Sequence, residues 1–337
     1  MLSRSWNLIT KRAASATAST AASRVTAQES VTRLPNGLTV ASVDLQGATS
    51  QLVIGFRAGS RYEKENEQGV IHLARNCVGK DSGRYPGTTL LWNTALTGGI
   101  LDVKFRDGRH YKNSLLSKRF VSGEAVLVGV NIDHESLLNY ATEQIPLNEG
   151  TATASPTSRY FGGEARKNFS GPSSYVALAG KGAALSDTKS VAVQSVLAEI
   201  FYAATKKITN SAQPININYQ DAGLVGVQFN AANDGIGLLT KSVATSLKNV
   251  KLDKDTINAA KRKAMLKVLS ASESASSVAL DCAVQLLAGS SVTPSIFVDN
   301  INSLTQNEIS KAMTDSLSKL SMAVYGSTYH VPYLDEL

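Results

Sequence analysis

The same order of elements runs twice through this chain of 337 residues, and the two passes differ in length. In the first, Val31–Leu34 and Leu38–Val43 flank Pro35-Asn36-Gly37. Asn-Gly between two β-type runs predicts a hairpin, because both residues tolerate positive φ. Leu52–Phe56 follows as a strand, then a Gly-containing bend, then a short helix over Gly69–Val78. A second helix, Thr88–Thr97, stops at Gly98-Gly99, and Leu101–Phe105 alternates as a strand. A basic, Ser-containing stretch, Ser117-Lys118-Arg119-Phe120, leads into the apolar strand Ala125–Val130. In the second pass, strands are predicted at Tyr160–Ala165 and Tyr175–Ala179. A glycine bend and a helix over Asp187–Lys206 follow, with Val193, Val196, Leu197, Ile200, Phe201 and Ala204 at helical spacing. A strand pair (Ile215–Tyr219, Leu224–Phe229) comes next, and then helices near 234–249, 254–270 and 275–288. The last helix opens with the capping box Thr305-Gln306-Asn307-Glu308 and turns Ile309, Met313 and Leu317 inward. It runs through Ser318-Lys319-Leu320 into the strand Ser321–Tyr325.

From Gly55 to Ala125 the first pass spends 70 residues; from Ala177 to Ala323 the second spends 146. The first half is therefore short by about 75 residues, some three helices' worth. A strand layer must bury its apolar face against something. The second half carries helices enough for its sheet and the first does not, so a partner covers the first sheet or the chain is a shortened version of a longer one. Between the halves, Glu149–Ser158 is rich in Thr, Ala and Ser and reads as a linker. The predicted organisation is 29–148, linker 149–158, and 159–337.

Residues 1–28 stand apart. They hold Arg4, Lys11, Arg12 and Arg24, no acidic residue, and many Ser, Ala and Thr. An Arg- and Ser-rich, acid-free leader reads as a mitochondrial transit peptide. The whole chain has 34 Lys+Arg against 27 Asp+Glu, a net charge of +7, of which the leader supplies four. The remaining basicity is scattered, so no nucleic-acid partner is implied. No apolar run approaches the roughly 18 residues of a membrane span. Two cysteines, without a CxxC, argue against a disulfide scaffold, a zinc knuckle or an iron–sulfur site.

One stretch has catalytic shape: His72-Leu73-Ala74-Arg75-Asn76, on the first half's first helix. An inverzincin needs H-x-x-E-H there, two imidazoles for zinc and a carboxylate to activate its water. Here Arg75 replaces the carboxylate and Asn76 the second imidazole. Catalytic zinc takes about three protein ligands, and His72 is one; Cys77 is off the i, i+4 spacing. The expectation is an ordinary, partly buried His72, with no catalytic, metal-binding or cofactor-binding residues. Gly180-Lys181-Gly182-Ala183-Ala184-Leu185 lacks the third small residue and the distal acid of a dinucleotide loop, and Tyr175 stands where a P-loop needs its first glycine. No G-x-S-x-G occurs. His110, His134 and His330 are isolated. Lys261, Arg262, Lys263 and Lys267 form a basic helix face, read as solvated in preference to a lipid-headgroup contact. Asn168-Phe169-Ser170 matches a glycosylation sequon, which is irrelevant if the chain enters mitochondria.

Leu34-Pro35-Asn36-Gly37-Leu38, Ala58-Gly59-Ser60-Arg61-Tyr62-Glu63 and the degenerate motif at His72 resemble the mitochondrial processing peptidase-like family. That family holds pitrilysin-type inverzincins, the processing peptidase subunits and the core proteins of ubiquinol–cytochrome c reductase (respiratory complex III). Gly98-Gly99-Ile100-Leu101-Asp102-Val103 and the ending Val331–Leu337 resemble the core-protein branch. The resemblance covers about 31–110 and 120–337. It implies an α+β fold of two related halves, each a mostly antiparallel sheet covered by helices, the first half here shortened. It also implies a non-catalytic scaffold without cofactor, peripheral on the matrix side of the mitochondrial inner membrane. Its implied partners are core protein 1 and the other complex III subunits. A presequence-binding role like that of the processing peptidase α-subunit is the alternative. That subunit is distinguished by a glycine-rich loop, whereas Asn210–Gly223 contains only Gly223. A zinc endopeptidase is the least supported reading.

Overall fold

A computed structural model describes residues 28–59, 62–63, 69–77, 80–81, 86–101, 119–145, 147–151 and 157–337. The first sheet has the order β1-β2-β4-β3, from β1 Gln28–Arg33, β2 Thr39–Asp44, β3 Gln51–Phe56 and β4 Ala125–Val130. β1 and β2 form the predicted hairpin: Asn36 Oδ1 accepts from Leu38 N at 3.0 Å, and Gly37 sits at φ +93°, where a side chain would be strained. The second sheet has the order β5-β9-β6-β8-β7, from β5 Gly163–Asn168, β6 Ser173–Gly182, β7 Gln213–Asn218, β8 Gly223–Ala232 and β9 Leu320–Gly326. β2 runs parallel to β4 and β5 parallel to β9; every other pairing is antiparallel.

The pairing makes the repeat explicit. The last strand of each half is central, with a parallel neighbour on one side (β2, β5) and an antiparallel one on the other (β3, β6). Beyond β6 the second sheet adds β8 and β7, whereas β3 is an edge strand among the described residues. The strand expected at 160–165 begins three residues later. Tyr160 lies outside the ladder, its hydroxyl within hydrogen-bond distance of the Lys319 carbonyl (2.9 Å), the Ala179 carbonyl (3.2 Å) and Ser321 Oγ (2.9 Å). The strand expected over 101–105 lies outside the described residues from 102 onward, as do residues 1–27 of the leader and 152–156 of the linker.

The helices are α1 Val70–Cys77, α2 Gly87–Leu96, α3 His134–Gln144, α4 Thr188–Lys206, α5 Ile236–Lys248, α6 Lys254–Ser272, α7 Ala275–Ala288, α8 Pro294–Ser303 and α9 Gln306–Ser318. α3 and α8 were not expected from the sequence. In the second half, Leu197, Ala198 and Phe201 of α4 pack on Val176, Leu178, Val225, Val227, Met322 and Val324. The other side of α4 (Ala192, Val193, Val196, Ile200) packs against α6, α8 and α9 through Ile257, Ala260, Ile301 and Ile309. α4 is thus buried on both sides between Val191 and Phe201.

β4 is buried along its whole length, because its alternate residues serve two cores. Ala125 and Leu127 join Leu38, Val40 and, from α3, Leu137 and Ala141. Val126, Val128 and Val130 join Ala41, Val43 and, from α7, Ala279 and Ala283. The first sheet is therefore not left to an external partner on that side: a helix of the second half crosses over and covers it. Small side chains on α7 let it lie close; a Cβ on Gly55 would stand 3.3 Å from Leu287 and 3.7 Å from Ala283.

Candidate functional site

The stretch His72-Leu73-Ala74-Arg75-Asn76 sits where β3 leads into α1. Glu63 anchors the helix start, its two carboxylate oxygens accepting from Gly69 N (2.8 Å) and Ile71 N (2.9 Å). A carboxylate there satisfies amides that have no intrahelical partner and complements the helix dipole. Val70 and Ile71 bury against Ala58, Phe56, Tyr62 and Phe120, with Phe56 and Phe120 stacked at 4.6 Å. The buried side of α1 is thus its first turn. His72, one residue on, is half-buried. Asn76, one turn further, donates from Nδ2 to His72 Nε2 at 3.2 Å. That bond engages the ring nitrogen lone pair, so the two positions that hold zinc ligands in an inverzincin hold a hydrogen-bonded pair. Among the described residues, no three of His, Cys, Asp and Glu converge to hold a metal ion.

Behind the motif lies a charged node that sequence reading missed. Glu124, 1% exposed, receives Arg119 Nη1 at 2.6 Å and has Arg57 Nη1 at 3.6 Å. The Arg119 guanidinium also lies 4.3 Å from the centre of the Tyr62 ring, a cation–π geometry. A buried carboxylate between two guanidinium groups keeps its charge compensated. Arg57 Nε donates to the Leu287 carbonyl at 3.0 Å, and Nη2 reaches the same oxygen. Leu287 lies in the last turn of α7, just before Gly289 at φ +82°. Arg57 thus holds the C-terminal carbonyl end of the crossing helix, the end that favours a cation. No spacing rule links residues 57, 124 and 287, so no local signal pointed to them.

The remaining sequence candidates resolve into structure. Gly180–Gly182 close β6, and the bend beyond is filled by Gln194, 3% exposed. Its Oε1 accepts from Ala183 N and from Asn218 Nδ2, and its Nε2 donates to Asn216 Oδ1 at 2.8 Å. Of the basic residues on α6, Lys261 donates to the carbonyls of Asn302 (3.0 Å) and Leu304 (2.6 Å), and Lys267 pairs with Glu199. Two of the four therefore tie α6 to its neighbours, which corrects the reading of a simply solvated face. His134 shares hydrogen bonds with Thr32 Oγ1 and Ser42 Oγ, each at 2.9 Å, and joins α3 to the first hairpin. His330 lies against Tyr329, Cys77 is exposed, and His110 is outside the described residues.

This architecture has known counterparts. The chain is 24% identical to mouse "Cytochrome b-c1 complex subunit 2, mitochondrial" over an alignment that covers 91% of both chains. The chain is homologous to cytochrome b-c1 complex subunit 2. The human subunit 2 is likewise 24% identical over 91% of each chain. The mouse alignment runs to 414 positions, yet 91% of 337 residues is about 307, so about 107 positions face gaps in this chain. Subunit 2 of the mouse is thus the longer protein within the aligned region, in keeping with the shortfall counted between the two passes. "Mitochondrial-processing peptidase subunit alpha-2" of Dictyostelium discoideum is 27% identical over 63% of this chain and 53% of its own length. A chain of complex III2 from Candida albicans shares the fold at TM-score 0.74 and 16% identity, over 88% of this chain and 95% of that one. No protein-family model matches. The expected mixed α+β fold, two helix-covered sheets of the peptidase-like type, is the fold observed.

Proposed function

We propose that this chain is a non-catalytic structural subunit of mitochondrial respiratory complex III, the cytochrome b-c1 complex, supporting its assembly and stability. The likeness to subunit 2 across nine-tenths of both chains carries this reading. The chemistry at α1 agrees with it: His72 has Asn76 in place of a second imidazole, and the sequence offers Arg75 in place of a water-activating carboxylate. In this reading residues 1–28 are the transit peptide, 29–148 and 159–337 are the two peptidase-like halves, and 149–158 joins them. The protein has no cofactor of its own. It sits peripherally on the matrix side of the inner membrane, beside core protein 1 and the other complex III subunits. Among the described residues no helix is long and apolar enough to cross a membrane, which suits a peripheral position.

The test is affinity purification of the tagged chain from detergent-solubilised mitochondria. The expected result is co-recovery of cytochrome b, cytochrome c1 and core protein 1 in stoichiometric amounts; their absence overturns the assignment. The likeness to a processing peptidase α-subunit supports presequence binding as the second reading. Saturable binding of a basic amphipathic presequence peptide by purified protein that recovers no complex III subunits would favour it.

A further inference from the structure

The repeat relates the two sheets face by face. Phe56, Ala125 and Leu127 face α1 and α3, as Val176, Leu178, Met322 and Val324 face α4. On the opposite face of the first sheet, Val53, Gly55, Val126 and Val128 lie beneath α7, contributed by the other half. The corresponding face of the second sheet carries Tyr175, Ala177, Ala323 and Tyr325, cross-strand partners in β6 and β9. Among the described residues no helix covers it. Tyr175 is 54% exposed and Tyr325 39%. Phe169 stacks on Tyr325 at 5.1 Å, and Tyr175 lies 6.4 Å from the same ring. Beside this aromatic row a cleft of about 310 Å³ opens over Ala177 and Ala323, with Gln213, Gln228 and Asn230 on its far wall.

By the repeat, the helix that belongs on this face would come from the first half, between β3 and β4. That is where the first pass is about 75 residues short. We infer that the open face of the second sheet is a docking groove for an apolar helix of a partner chain, one with small residues four apart in the manner of Ala275, Ala279 and Ala283 of α7. The aromatic row supplies apolar area at little entropic cost. The small floor residues let a helix backbone approach, and the amides of Gln213, Gln228 and Asn230 form a polar rim. The inference goes beyond membership of complex III and does not depend on it.

The test uses the full chain and a fluorescein-labelled 14-residue peptide with the sequence of Ala275–Ala288, carrying a photoreactive group. Saturable binding is expected, at least ten-fold weaker in Ala177→Glu and Ala323→Glu. Both substitutions fall on the solvent side of the sheet, and circular dichroism confirms that the variants fold. Crosslinks are expected at 175–177 and 323–325. Failure to saturate overturns the inference, as does binding that neither variant weakens. Crosslinks at 53–55 and 126–130 also overturn it, because the peptide would then be exchanging with α7. Self-association of the chain without peptide, abolished by Ala177→Glu, would place a second copy in the groove and overturn the partner helix.

Discussion

Glu308 ties the start of α9 to the start of α4. Its Oε2 accepts from Thr305 N (2.8 Å) and Thr305 Oγ1 (2.9 Å), and Lys189 Nζ lies 2.5 Å from Oε1. The hydrogen bond from Lys189, then those from Thr305, hold this carboxyl down at about 2, against an ordinary value of 4.5. A depressed folded-state value means that the charged form favours the native state. The contribution is complete above pH 4.5 and is lost as pH falls toward 2. Glu308→Gln is therefore expected to flatten the fall of the urea midpoint across that window and to leave its other pH dependence alone. Asp133, Asp187 and Asp253 cap α3, α4 and α6, and their carboxyls are also lowered, chiefly by bonds from Ser136, Ser190 and Thr256. They keep an acid slope of their own in the variant. Thr305→Ala removes the other half of the capping box and is expected to cost about 1 kcal/mol in urea denaturation. An unchanged acid slope in Glu308→Gln would show that this carboxylate is not the group that titrates.

At the scale of elements, α7 belongs by sequence to one half and by packing to the other. Ala279 and Ala283 are 0% and 2% exposed beneath the first sheet's valines. Cys282, between them, reports on whether the helix is seated. Burial, with Glu29 and Asp281 adding to it, pushes its thiol up to about 12. A thiol reacts as thiolate, so iodoacetamide at neutral pH is expected to modify exposed Cys77 and to spare Cys282 until the protein unfolds. Ala283→Asp puts an unpaired charge into the packed interface, at a cost of roughly 3–5 kcal/mol. It is expected to make Cys282 modify at the Cys77 rate while the second half keeps its helical signal; continued protection would mean that α7 is not held by this contact. Periodicity revealed α7 as a helix, and likewise α1, α2, α4, α5, α6 and α9, because each carries an apolar stripe. It missed α3 and α8, although Asp133 before Ser136 and Thr293 before Pro294 are ordinary N-terminal signals. It placed β5 three residues early because the strand itself, Gly-Glu-Ala-Arg-Lys-Asn, has almost no apolar face. The sheet that α7 covers was not legible, since a helix's own residues do not say which of two valine-rich surfaces they meet. The node of Arg57, Arg119 and Glu124 was hidden for the same reason: its members meet only through tertiary folding.

At the scale of the whole molecule, counting residues between matched strands was enough to find the short half, and the length of the alignment to subunit 2 agrees with it. The count did not say what a short half does for cover. The structure's answer is asymmetric: the second half lends α7 to the first, and among the described residues the first lends no helix back. The two halves therefore differ in what each needs. The second encloses its main core with its own helices, α4 through α6, α8 and α9. The first, cut away from α7, leaves Ala41, Val43, Val126, Val128 and Val130 open to water, all at present 6% exposed or less. At about 25 cal/mol per Å² of apolar surface, a loss of several hundred Å² of cover is worth many kcal/mol, comparable to the whole stability of a small domain. The loss of Leu287 also removes the acceptor that orients Arg57 toward Glu124. Residues 29–148 produced alone are therefore expected to be unfolded or aggregated, and 159–337 alone to be folded, with protected amides in β6, β8 and α4. Mixing the two during refolding is expected to restore amide protection in β2 and β4. The decisive control is 159–337 carrying Ala283→Asp, which should fold by itself and fail to rescue its partner. Independent folding of 29–148, with slow exchange in β4, would show that the first sheet finds its cover without the borrowed helix.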